Sequence, residues 1–152
     1  MHNVIRLFVC GISTMLLLST VKCSDQDIVV KELRETIAQI PGMKRMSIDR
    51  ANAGERLGLL TTKVEAQKVD DDTLAALISL LDISDNSVRI WAAIALGNLG
   101  SRASSASTKL LQVLPEVDCV EGAVSPGAAI RHALKRIGIT PPPRQNCGGI
   151  SG

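Results

Sequence analysis

Apolar residues recur along this chain at the spacing of a helix face. Between Asp72 and Asp82, Leu74, Leu77, Ile78 and Leu81 fall at i, i+3, i+4 and i+7. Asp70, Asp71 and Asp72 stand just before them, where a side-chain cap and the helix dipole favour a carboxylate. Further on, Val88, Ala92, Ala95, Leu96 and Leu99 line one face of a second segment. Earlier, Val29, Leu33, Ile37 and Ile40 form a stripe that stops at Pro41-Gly42. Later, Leu110, Leu111, Val113 and Leu114 form another that stops at Pro115. The pattern predicts an all-α chain of helix pairs at 28–40 with 47–60, 72–82 with 86–99, and 104–114 with 126–138.

The second helices of these pairs repeat one another. Arg89-Ile-Trp-Ala-Ala-Ile-Ala-Leu-Gly97 aligns with Arg50-Ala-Asn-Ala-Gly-Glu-Arg-Leu-Gly58, which places Arg50 under Arg89, Gly54 under Ala93 and Gly58 under Gly97. Downstream, Ala133-Leu-Lys-Arg-Ile-Gly138 aligns with Ala95-Leu-Gly-Asn-Leu-Gly100, and Gly127 stands where the arginine would be. A single helical hairpin cannot cover its own apolar face, whereas stacked pairs build a continuous core.

The pattern Asp85-x-x-Val88-Arg89-x-x-Ala92-Ala93-x-Ala95-Leu96-Gly97-x-Leu99-Gly100 resembles the HEAT repeat, in particular the short bacterial HEAT-like variety also found in phycobilisome lyases. The resemblance spans about residues 27–139 and is densest in the middle copy. It implies a short α-solenoid of about three hairpins over residues 24–139 that holds other proteins without catalysis. It also implies that Asp85 and Arg89, with Arg50 at the matching place, form a structural ladder between neighbouring repeats. Two departures stand out: the Pro115–Ser125 linker is long and carries Cys119, and the third repeat helix opens with Ser125-Pro126-Gly127.

The first 23 residues read as an address. Arg6 precedes a mainly apolar stretch from Leu7 to Val21, shorter than the ~20 residues of a membrane span. This predicts a cleaved signal peptide over residues 1–23, with alternatives in which Cys23 is lipidated or the segment stays uncleaved as a membrane anchor. Either way the chain is exported, to the periplasm or cell envelope or into the medium. Of four cysteines, Cys119 and Cys147 then remain, and in an oxidising compartment they read as a disulfide. That bridge would tie the Pro/Gly-rich tail, residues 140–152, back to the domain.

Composition narrows the chemistry. The 17 Lys and Arg against 15 Asp and Glu, with Phe8 and Trp91 the only aromatics, give neither the basic excess nor the stacking rings of a nucleic-acid binder. Two histidines, His2 and His132, with no cysteine pair at zinc spacing, give no metal site. No nucleophile elbow, phosphate loop or calcium-loop spacing occurs, so neither catalytic residues nor a cofactor are expected. Charge is uneven: residues 24–85 hold 8 basic and 12 acidic side chains, and residues 86–152 hold 7 and 3.

The expectation for function is an exported protein–protein scaffold or adaptor. Alternatives are a secreted effector or inhibitor of a target protein, and a lyase-like handler of a cofactor. Trp91 reads either as core or as an anchor for a partner, since Asn52 and Ala129 fill its place in the other copies. Arg131, Lys135 and Arg136 read as a basic patch, suited to the helix C-terminus or to an anionic contact.

Overall fold

The computed structural model describes residues 24–122 and 124–147. Residues 1–23, read from the sequence as a signal segment ending in Cys23, and Gly148 to Gly152 at the end of the tail, lie outside these residues. Among the described residues the regular structure is all helical, with no strand, in the order α1 (Asp25–Gln39), α2 (Ile48–Lys63), α3 (Asp71–Ser79), α4 (Asn86–Leu99), α5 (Ser107–Val117) and α6 (Pro126–Ile137).

Most helix starts are written in the sequence. Ser24 and Asp27 form a capping box, each side chain accepting from the other's backbone N–H. Ser47, Asp70, Asp85 and Ser125 cap α2, α3, α4 and α6 by accepting from amides two or three residues on. Pro126 occupies the first position of α6, where its missing N–H costs nothing. At the far ends, Gly100 (φ 56°) closes α4, and Gly138 (φ 98°) closes α6 in the left-handed conformation.

The third pair departs from expectation. A run of tight 3-10 turns occupies Gly100–Ala106, so α5 begins only at Ser107. It also runs through Pro115 to Val117 instead of stopping there. Pro115 sits on the exposed side, where water is at hand for the carbonyl left without its N–H, while Leu114 and Val117 on either side of it are buried.

Helix α4 lies between α2 and α6; α1 packs on α2 and α3, and α5 packs on α6. The core runs through all of them, from Leu33 and Ile37 through Leu57, Leu77, Leu81 and Leu96 to Leu110, Ile130 and Leu134. The predicted face of α4, Val88, Ala92, Ala95, Leu96 and Leu99, is wholly buried.

Small residues set the approach of α2, α4 and α6. A Cβ on Gly97 would stand 3.2 Å from the Ala133 Cα of α6, and Cβ atoms on Gly54 and Gly58 would stand 2.3 and 2.9 Å from the Trp91 ring of α4. Polar joints recur at the same places. Asn98 donates from Nδ2 to the Gly58 carbonyl (3.3 Å) and to Thr61 Oγ1 (3.1 Å), and Arg136 donates from Nε to the Gly97 carbonyl (2.7 Å). Asn98 and Arg136 are equivalent in the repeat alignment, and so are Gly58 and Gly97.

Candidate functional site

Two places gather the residues that the sequence singles out: the outward side of α2, α4 and α6, and the loop and tail around Cys119.

On α4, Ser87, Trp91, Ile94 and Asn98 follow one another at helical spacing on the side away from the core, with Ile90 beside them. Trp91, Ile94 and Ile90 are half-buried, which leaves an apolar centre partly open to solvent. Trp91 makes a contact within the chain: its indole lies across Gly54 and Gly58 and packs α4 on α2. The equivalent positions on α2 are Ile48, Asn52, Glu55 and Leu59, all exposed, and Ile48 and Leu59 are large apolar side chains left in solvent. On α6, His132, Lys135 and Arg136 are exposed. The outward side thus grades from a carboxylate on α2, across an apolar centre, to cations on α6.

Arg50, Asp85 and Arg89 sit behind this surface. Arg50 and Asp85 are buried and joined by a 3.0 Å ion pair. Arg50 also donates from Nη2 to the carbonyls of Ile40 (3.3 Å) and Met43 (2.6 Å), tying the end of α1 to α2 and α4, and its buried Nε has no partner. Asp85 Oδ1 accepts from the amides of Ser87 (3.0 Å) and Val88 (3.4 Å). Burial alone would raise the Asp85 carboxyl, but the hydrogen bond from Arg50, the two amides and the Arg50 charge outweigh it and hold the group below its ordinary value. Arg89 does not pair with Asp85; it donates to the Leu81 carbonyl (3.1 Å) and reaches Glu116 (2.9 Å). Each arginine thus reaches an acid of the next pair.

The third pair solves the same problem differently. Gly127 replaces the arginine, and a Cβ there would stand 2.9 Å from the Asp118 Cα and 3.1 Å from the Val117 carbonyl, so the glycine lets α6 close on the end of α5. The cation moves one turn along, to Arg131. It clasps Asp118 through Nε (2.9 Å) and Nη2 (2.7 Å), and its guanidinium also donates to the carbonyls of Pro142 and Pro143. Arg131, read from the sequence as one of a basic patch, is engaged within the chain by these contacts. Arg136 is partly committed as well, through Gly97, while its side chain stays exposed. Lys135 is exposed.

Asp118, which the sequence reading overlooked, is the centre of this second cluster. It is buried, and its Oδ2 accepts from the Gln145 amide at 2.8 Å as well as from Arg131. The hydrogen bonds from Arg131 are the largest influence on its carboxyl and keep it below the ordinary value against the opposing pull of burial; the Gln145 amide and the charges of Arg131 and Arg144 add to them. The one available signal was the displaced arginine itself, four residues after a glycine at the repeat's arginine position. Next door, Cys119 and Cys147 are joined in a disulfide, 28 residues apart.

Among the described residues, no group of three His, Cys, Asp or Glu is placed to hold a metal ion, and no helix is long and apolar enough to cross a membrane. No protein-family model, curated protein or solved structure matches the chain.

Proposed function

We propose that this is an exported, non-catalytic scaffold protein, a short HEAT-like α-solenoid that holds a protein partner on the outward side of α2, α4 and α6. The observation that carries the reading is the half-open apolar centre of Ile90, Trp91 and Ile94 on the middle helix, flanked by Glu55 with Leu59 on one neighbour and by Lys135 with Arg136 on the other. An apolar centre inside a charged margin is the layout of protein-docking surfaces. The repeat-related joints support the solenoid reading, because equivalent residues make equivalent contacts between α2 and α4 and between α4 and α6. The Cys119–Cys147 bridge fits a chain that matures in an oxidising compartment, with residues 1–23 as its signal and Cys23 as an alternative site of lipidation.

The test is cross-linking in the native cell followed by capture, with charge reversal at either margin. Glu55→Lys and Lys135→Glu lie on exposed positions and should leave thermal unfolding within about 2 °C of the parent. A partner bound across this face is lost from both captures. Retention of the same partner by both variants would reject the surface.

A further inference from the structure

The tail from Ile139 to Cys147 has no helix or strand of its own, yet it has a defined seat. Its attachment is to main chain. The Arg131 guanidinium donates to the carbonyls of Pro142 and Pro143, and the Asp118 carboxylate accepts from the N–H of Gln145. The side chains of Pro142, Pro143, Arg144 and Gln145 are left exposed. A buried carboxylate and a guanidinium locked to each other thus present one acceptor and two donors to the main chain of the tail. A small cavity lined by Asp118, Ser125, Ala128, Arg131 and Arg144 lies alongside, a gap the tail leaves open.

We propose that the Asp118–Arg131 pair is a binding site for extended, proline-containing peptide, occupied by the chain's own tail and locked by the Cys119–Cys147 disulfide. The chemistry favours that class of ligand. Prolines fix φ and populate an extended conformation before binding, so little order is lost on docking, and their carbonyls remain free to accept. Contact through main chain makes the site tolerant of the side chains that follow. Both cysteines are exposed, within reach of a dithiol. Exchange with a dithiol would pass two electrons to the bridge, giving two protein thiols and leaving the reagent as its own disulfide. The tail would then be a tethered competitor at an effective concentration of about millimolar, no longer a fixed occupant. This site lies apart from the helical face proposed above and stands or falls without it.

The experiment uses the full mature chain carrying Pro142→Gly and Pro143→Gly, which weaken the tethered competitor. The probe is a fluorescein-labelled peptide, Ile-Thr-Pro-Pro-Pro-Arg-Gln, the sequence of residues 139–145. Anisotropy is read with the bridge intact and after reduction by dithiothreitol, with far-ultraviolet circular dichroism on both samples. The expected result is at least tenfold tighter binding by the reduced protein, and at least tenfold weakening when the peptide's prolines are replaced by glycine. Equal binding in both redox states would overturn the proposal, as would indifference to the prolines. Loss of helicity on reduction would also overturn it, by showing the bridge to be a structural staple and not a lock.

Discussion

The fit of Trp91 over Gly54 can be broken from either side, with opposite consequences. Gly54 lies inside α2 with helical backbone, so alanine is conformationally acceptable there and should gain about 1 kcal/mol of helix propensity. Against that, the new Cβ would meet Trp91 Cδ1 at 2.3 Å and Cγ at 2.8 Å. Cγ is the root of the ring, so turning the ring about χ2 leaves it in place; clearing it takes a χ1 change that lifts the whole indole off its seat, or a shift of α4. Overpacking of this kind costs about 1–3 kcal/mol, and contact at the ring root belongs at the upper end. The net expectation for Gly54→Ala is a loss of about 1–2 kcal/mol. In a Trp91→Ala background the obstacle is gone and only the propensity remains, so the same substitution should stabilise by up to about 1 kcal/mol. The assay is urea unfolding followed by circular dichroism at 222 nm, since Trp91 is the only tryptophan and its fluorescence vanishes in half the cycle. A change of the same sign in both backgrounds would refute the reasoning.

Two further outcomes follow from the buried pairs. Asp85→Ala strands Arg50 without its counter-charge and uncaps α4, so a loss of about 3–5 kcal/mol is expected; Asp85→Asn keeps the cap and should lose clearly less, both read from denaturant midpoints. Asp85 and Asp118 are held below the ordinary carboxylate value and Asp70 is lowered to about 2, foremost by the hydrogen bond from the Thr73 amide. Depressed carboxyls contribute stability above their unfolded value of about 4 and lose it as pH falls through the folded value, so the unfolding temperature should be flat from pH 7 to about 5 and then fall steadily toward pH 2. A profile flat down to pH 2 would contradict that sign.

The helices were legible because burial and periodicity largely agree: Leu74, Leu77 and Leu81, read as an apolar face, are core, whereas Leu111, read onto the stripe before Pro115, is exposed. The cap at Asp70 was legible for the same local reason. What the sequence concealed is contact between distant segments. Gly54 and Gly58 looked like ordinary small residues of a repeat, and only their position under Trp91 makes them a socket. Arg131 read as one cation in a basic cluster, because its partner Asp118 lies across a linker with no periodicity. Pro115 read as a stop, since local propensity cannot register the burial of Leu114 and Val117 on either side of it.

The joint between Asn98 and the Gly58 carbonyl, echoed by Arg136 and the Gly97 carbonyl, has a consequence for how such a chain can grow. Helix α4 carries both halves of the fastening, a donor toward the helix before it and a bare glycine toward the helix after it. A stretch of gene encoding α3 and α4 is therefore its own mating part. Copied in frame, it would bring a plug for the old socket and a socket for the next plug, and no new interface would have to be invented. Such a copy would lengthen the middle and leave untouched both Ser24, which caps α1, and the bridged tail seated beside α6.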